Sequence, residues 1–379
     1  MKVVYVIHSL ATKGGAERII SEKMNCLASL DGYDITVITC YQDPEVTPNC
    51  YNLSDGVRQI HLQIPFHRQY HYSYPMRFWI KWKNFRQTRV ELQKAIDDIN
   101  PDIIIGLGHS FADLVCRIKC RAAIIIESHG VRRYLLSDSI RKTPIPRIFS
   151  TIFMSYYLHT IEKHADVVVT LTKGDALEWR KARRVEVIPN FSTMPISQFS
   201  DCESKRVIAV GRLEWQKGFD RLIKIWAIVS KEHPDWCLDI FGEGTLETDL
   251  RKAIQDAQLN NISILPFTQK ISMEYANSSI LVQTSRFEGF SLALLEAVRH
   301  GLPCITFDYP YGPRDLIDNG ENGYIIEDDN IKLFADRLCY LMEHHELRKQ
   351  FAAAGVKKAQ LYHTDVIMKQ WQSLFDSLT

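Results

Sequence analysis

Ile280-Leu281-Val282-Gln283 is followed, three residues on, by Phe287-Glu288-Gly289-Phe290-Ser291-Leu292-Ala293-Leu294-Leu295-Glu296-Ala297. The first run is short, apolar and bounded by polar residues, which reads as a buried strand. Leu292 to His300 reads as a helix that stops at Gly301, with Pro303 just beyond. Strand, turn and helix in this order form one unit of an open parallel sheet. Glu288 then lies in the loop at the sheet's carboxyl edge, and Glu296 a little over one turn into the helix. Between them, the first turn of the helix offers backbone N–H groups without intrahelical partners, a site suited to phosphate oxygens. Two glutamates eight residues apart are also what a solvated helix face shows, so the rest of the chain has to decide between these readings.

The same alternation of strand and helix runs through the chain twice. In the first half, short apolar runs stand at Val3–Ile7, Ile35–Thr39, Ile103–Ile105, Ala122–Ile126, Val167–Leu171 and Val185–Ile188, with helical periodicity at Gly15–Leu30 and Arg89–Ile99. Continuous apolar runs fit parallel strands buried on both faces. Residues 191–204 are polar, contain proline and serine, and read as a linker. The alternation restarts at Arg206–Val210, Trp236–Phe241, Ile262–Leu265, Ile280–Gln283, Pro303–Phe307 and Tyr324–Ile326, and closes with helices over Lys332–His345 and Glu346–Leu361. The expected fold class is α/β. Two Rossmann-like, doubly wound parallel-sheet domains, 1–190 and 205–364, would face a central cleft, with a C-terminal helix at 365–379 packing back on the first domain.

A chain of 379 residues suits two such domains. No apolar run reaches membrane-spanning length, and Val3–Ile7 breaks into Gly14-Gly15 instead of a leader cleavage pattern. Nine scattered cysteines suggest reduced thiols and a cytoplasmic setting; Cys116 and Cys120, four apart on an expected helix, have no second pair to complete a zinc site. Residues 1–195 carry 26 Lys and Arg against 19 Asp and Glu, while the remainder carries 20 against 26. A basic first half implies that it meets something anionic.

Several residues carry chemistry. After Val207-Ile208-Ala209-Val210 comes Gly211-Arg212-Leu213-Glu214-Trp215-Gln216-Lys217-Gly218, which puts two cations on one loop at a strand's carboxyl end. Such a pair can neutralise a diphosphate leaving group without a metal. Gly14-Gly15 opens a helix and lets a ligand approach the backbone, but it is not a G-x-G-x-x-G fingerprint, and Gly106-Leu107-Gly108 lacks the third glycine too. That excludes the common dinucleotide site. Glu127-Ser128-His129-Gly130 ends another strand, so His129 sits at a sheet edge. No metal-binding pattern emerges from His67 and His71 or from His344-His345-Glu346. Residues 61–90 hold Arg68, Arg77, Lys81, Lys83, Arg86 and Arg89, no acid, and Phe66, Tyr70, Tyr72, Tyr74, Phe78, Trp79, Trp82 and Phe85. That mixture suits an anionic membrane surface or single-stranded nucleic acid, and also an amphipathic helix with its aromatics in the core.

These motifs resemble the retaining GT-B glycosyltransferases of glycosyltransferase family four. The resemblance covers nearly the whole chain: GGAER at 14–18, ESHG at 127–130, VIPN at 187–190, VGRLEWQKG at 210–218, FGEG at 241–244, FEGFSLALLEA at 287–297 and ENGYII at 321–326. It implies that Arg212 and Lys217 hold the diphosphate of a nucleotide-sugar donor, helped by Gly14, Gly15 and the amides beside Phe290, at Ser291 and Leu292. Glu296 would bind the ribose, Glu288 the transferred sugar and Phe267-Thr268 the base, while His129 would face the reacting region. Many members have glycine where this chain has Ser291, which still supplies an amide. The implied activity is transfer of a hexose or N-acetylhexosamine from a UDP-sugar to a lipid-linked or growing surface-polysaccharide acceptor, as in capsule or lipopolysaccharide assembly, by a front-face mechanism. No cofactor or metal is expected, nucleic acid is not an expected partner, and the expected place is the inner face of the cytoplasmic membrane, as a peripheral protein. An enzyme of soluble sugars (an epimerase or sucrose-type synthase) and a non-catalytic nucleotide-sugar-binding protein are the alternatives.

Overall fold

The computed structural model describes residues 1–12, 14–65, 74–108, 111–132 and 147–379. The chain divides into two compact units. One is Met1–Leu171 with Asp175–Ile188 and Ile367–Thr379; the other is Thr172–Gly174 with Pro189–Val366.

The first unit holds a seven-stranded sheet made of β1 (Lys2–Ile7), β2 (Asp34–Thr39), β3 (Val57–His61), β4 (Ile103–Leu107), β5 (Ala123–Ser128), β6 (Val167–Thr170) and β7 (Val185–Val187). Its order is β3-β2-β1-β4-β5-β6-β7, and every pairing is parallel. The apolar runs seen in the sequence are its central strands: β4 is buried along its whole length, and β1 and β2 after their first residue. Replacing Ile105, fully buried in β4, by alanine would cost about 2–5 kcal/mol.

β3 was not among the expected strands. Val-Arg-Gln-Ile-His has one buried residue and lies at the sheet edge, so it lacks the continuous apolar signature of its neighbours. The helix expected at Arg89–Ile99 begins at Tyr74. Pro75 falls in its first turn, where a missing N–H leaves no hydrogen bond unmade. Asn84, Thr88, Leu92 and Ile96 form its buried stripe at four-residue spacing, while Trp79 and Trp82 point to solvent. Phe85 packs against the core, as an amphipathic helix requires, and the two tryptophans do not. Arg68, Phe66, Tyr70, Tyr72, His67 and His71 lie outside the described residues. The helix expected to carry both Cys116 and Cys120 ends at Val115, leaving Cys116 buried and Cys120 exposed.

The second unit holds β8 (Arg206–Val210), β9 (Cys237–Phe241), β10 (Ile262–Leu265), β11 (Ile280–Gln283), β12 (Cys304–Phe307) and β13 (Gly323–Ile326). They are ordered β10-β9-β8-β11-β12-β13, again all parallel. In both sheets the strand order reverses beside the first strand, between β1 and β4 and between β8 and β11. Ligands of open α/β sheets bind outside the carboxyl ends of the strands at this switch point. The last helix, Thr364–Asp376, buries Ile367, Met368, Trp371, Leu374 and Phe375 on one face. Phe375 meets Tyr33 and Trp371 covers Lys23, both in the first unit.

Candidate active site

At the switch point of the second sheet, two loops converge. Gly211 follows β8, and a side chain there would press on the Lys217 stem, with a Cβ 3.1 Å from its Cδ and Cε. Lys217 closes a short 3-10 turn, Trp215–Lys217, before the helix Phe219–Glu232. Gly218 links the two at φ +66°, and any Cβ would stand 2.1 Å from the Thr284 carbonyl. Only glycine fits there, because both the dihedral and the close approach exclude a side chain.

The loop after β11 is held to the first by two arginines. Arg221 is buried and donates to the carbonyls of Thr284 (2.8 Å) and Ser285 (2.9 Å) and to Asp328 (2.7 Å), with its guanidinium 4.5 Å from the Phe307 ring centroid. Arg286 donates to both oxygens of Asp220 (2.8 and 2.6 Å) and to the Trp215 carbonyl (2.7 Å), and stacks on the Trp215 ring. The planar fork of arginine suits such multiple contacts. Neither role is visible in the residue pattern, because each arginine reads there as an ordinary surface charge.

This clamp brings Lys217 and Glu288 together. Lys217 Nζ lies 2.6 Å from Glu288 Oε1, with side-chain exposures of 16% and 9%. The same carboxylate accepts from Ser285 Oγ at 2.7 Å and from Gln216 Nε2 at 3.4 Å. Arg212, on the same loop as Lys217, is exposed, with no ion pair among the described residues.

Beyond Glu288, Ser291 caps the helix Leu292–Arg299 by accepting from the Leu294 N–H. Gln283, the last residue of β11, donates to Ser291 Oγ at 2.6 Å and accepts from the Tyr309 hydroxyl at 2.8 Å, all of them buried. Burial, and secondarily the Glu288 charge, pushes the Tyr309 hydroxyl well above its ordinary pKa, so it stays a donor. Phe290 is buried and packs on Tyr362. Glu296 is 4% exposed, with Ser192 Oγ 3.3 Å away. Phe267 stands half exposed after β10, and Thr268 accepts from the Lys270 N–H.

In the first unit, Gly14 is the extended N-cap residue of the helix Gly15–Ala28. His129 follows β5, but its ring is turned inward: Nε2 lies 2.9 Å from Glu127 Oε2 and the side chain is only 3% exposed. What His129 leaves partly exposed is its main chain. Glu127 is in turn bound through both oxygens, at 2.5 Å, by Lys23, whose ammonium sits 3.9 Å from the Trp371 ring centroid. Burial alone would raise the Glu127 carboxyl, but the Lys23 charge and the His129 hydrogen bond outweigh it and hold it at about 2. Sequence reading missed Lys23, a charged residue in an amphipathic helix.

Two other features lie away from these loops. Glu232, His233 and Cys339 offer ligand atoms within 4.8 Å of one another, but Glu232 ends the helix that begins beside Lys217, about 20 Å away along its axis. An open depression of about 630 Å³, lined by Asn100, Asp102, Arg121, Asp166 and Leu378, lies at the amino ends of β4–β6. Parallel sheets bind ligands at the opposite edge.

Two doubly wound parallel-sheet units in this strand order, with the charged loops at a switch point, define the GT-B fold. Solved structures agree. TarM from S. aureus, in a variant bound to fondaparinux, α-GlcNAc-glycerol and UDP, matches with TM-score 0.77 at 15% identity over 99% of both chains. Sucrose-phosphate synthase from Thermosynechococcus elongatus matches with TM-score 0.81 at 16% identity, covering 100% of this chain and 98% of its own. In sequence, the amylovoran biosynthesis glycosyltransferase AmsD of Erwinia amylovora is 28% identical over 391 residues, 99% of each chain. The family model for glycosyltransferase family 4 matches residues 13–191, and that for glycosyl transferases group 1 matches 192–358. The chain belongs to the group 1 glycosyltransferases of family four, and is a glycosyltransferase.

Proposed function

We propose that the protein is a retaining enzyme that transfers a hexose or N-acetylhexosamine from a UDP-sugar to a lipid-linked or growing surface-polysaccharide acceptor. The observation that carries this reading is the group at the second switch point: Arg212 and Lys217 on one loop, Glu288 against Lys217, and the capped N-terminus of the helix Leu292–Arg299 just beyond. The cations and the helix amides receive the diphosphate, Glu288 takes hydroxyls of the sugar, Glu296 the ribose, and Phe267-Thr268 the base. Gly14 and Gly15 keep the roles that the resemblance implies, and His129 meets the reacting region through its partly exposed main chain instead of its ring. The bond from the sugar's anomeric carbon to the phosphate oxygen breaks while the acceptor oxygen bonds to that carbon on the same face. The acceptor's proton passes to the departing phosphate. Arg212 and Lys217 stabilise the growing negative charge, so this step needs no metal.

The acceptor reading is supported by the first unit's surface. Trp79, Trp82, Ile152, Phe153 and Tyr156 are all at least half exposed, on the helices Tyr74–Ile99 and Arg147–His164. Arg86 lies over Trp82 and Arg117 over Tyr156. Aromatic and cationic side chains together suit the headgroup layer of an anionic bilayer. No helix among the described residues is long and apolar enough to cross a membrane, so the attachment we propose is peripheral, on the cytoplasmic face. Arg133, Arg141 and Lys142, further basic residues of this half, lie outside the described residues. AmsD, named for amylovoran biosynthesis, and TarM, solved with UDP, are in keeping with a polysaccharide product and a uridine donor.

Calorimetric titration with UDP, GDP and ADP in excess EDTA tests the donor site. UDP should bind, and Arg212→Ala/Lys217→Ala should abolish binding; no nucleotide binding at all would overturn the reading. Flotation with phosphatidylglycerol vesicles tests the acceptor side. Trp79→Ser/Trp82→Ser should lower the bound fraction several-fold, whereas unchanged flotation, or transfer to free sugars without lipid, would favour a soluble acceptor.

A further inference from the structure

The Lys217–Glu288 pair bears on which ligand the site prefers, an inference that rests on the donor reading above. Lys217 and Glu288 satisfy one another at 2.6 Å, and Ser285 and Gln216 complete the carboxylate's set of donors. Glu288 is 7% exposed, so little water is at hand to screen its charge. Arg221 and Arg286 fix the two loops, so the pair cannot simply drift apart.

A nucleoside diphosphate drawn to Lys217 brings its negative charge within a few ångströms of this carboxylate. The ammonium has three donors and can face both anions, but the two anions still repel each other, and whatever share of Lys217 the phosphate takes is lost to Glu288. A buried acceptor that loses its partner is costly. A ligand with hydroxyls beyond its diphosphate meets a different site, because those hydroxyls can donate to the carboxylate as the ammonium turns to the phosphate.

We propose that the Lys217–Glu288 pair is a selectivity device that disfavours the bare nucleoside diphosphate relative to the intact nucleotide-sugar. Once the sugar has left for the acceptor, its hydroxyls no longer serve Glu288, and the hold on the remaining diphosphate weakens. The pair thus couples sugar transfer to product release.

The test compares UDP with UDP-glucose and UDP-N-acetylglucosamine by calorimetry in EDTA, repeated with GDP and GDP-mannose. Glu288→Gln removes the charge and keeps the shape and a carbonyl acceptor for Lys217. It should bind the diphosphate about tenfold more tightly than the unaltered protein. The nucleotide-sugar should gain less or lose affinity, so that the preference for it shrinks. Glu288→Ala, read the same way, should tighten the diphosphate and weaken the nucleotide-sugar; thermal melts establish that both variants fold. If the unaltered protein binds nucleotides but neither variant binds the diphosphate more tightly, the selectivity inference falls and the donor reading stands. If the unaltered protein binds none of them, both fall.

Discussion

Lys23 with Glu127 in the first unit and Lys217 with Glu288 in the second are the same ion pair in two settings. Each joins a lysine to a carboxylate at or just past the carboxyl end of a strand. In the first, the side chains are 4% and 1% exposed, the ammonium is roofed by Trp371, and Tyr5 lies beneath with its hydroxyl buried. In the second, both members sit on loops, and exposure rises to 16% and 9%. Surroundings, not chemistry, separate them: a sealed pair can only hold the fold together, while a pair with an open side can exchange one partner for a ligand.

The largest expected effect would break that contrast directly. Lys23→Met strands the Glu127 charge in the core and should cost about 3–5 kcal/mol in denaturant unfolding. Adding Glu127→Leu removes the stranded charge and should recover most of it. A loss below about 1 kcal/mol for the single change would mean that the first pair is no more structural than the second. Lys217→Ala, by contrast, should lower turnover by about 10² or more and cost about 1–3 kcal/mol of stability, because Ser285 and Gln216 still donate to Glu288. Unchanged turnover would remove Lys217 from the reaction.

The smallest effect sharpens the comparison through acid. The Glu127 carboxyl is held at about 2 against an ordinary 4.5. A carboxyl with a depressed folded pKa lends stability that is fully present above its unfolded value and is lost as pH falls through the folded one. Unfolding followed from pH 5 to pH 2.5 should therefore show a decline that Glu127→Gln lacks. Equal slopes for the two proteins would contradict the assignment. Lys23 acts in the same sense at the other end of the scale: burial lowers its pKa despite the Glu127 charge, so the stability that its desolvation withholds returns only toward alkaline pH.

Much of this architecture can be read from residue pattern alone, for a physical reason. A parallel strand buried on both faces must be apolar throughout, and β8, β10 and β11 have the limits that their apolar runs suggest. β3 escapes because an edge strand is wetted and needs no such run. The loops carrying Arg212, Lys217 and Glu288 are legible as loops because the apolar runs before them stop at Val210 and Gln283. The partner of each charge is not legible. Seventy-one residues separate Lys217 from Glu288 and 104 separate Lys23 from Glu127, and only the folded sheet brings them together. The inward turn of the His129 ring was hidden for the same reason, since its cause is a carboxylate whose own orientation depends on Lys23.

The helix Thr364–Asp376 gives the first unit an unusual history. Lys23 leaves the ribosome early, but the indole that roofs it, Trp371, comes 348 residues later. At about 5–20 residues per second, that is a wait of roughly 20–70 s. Only at the end of that interval, once Val366 has been made, is the second unit whole, while the first, begun earlier, still has its lysine uncovered. The order of synthesis and the order of completion are therefore reversed, and a chain cut after Val366 would hold the whole second unit beside a first unit without its roof, the half a quality-control protease would be expected to find.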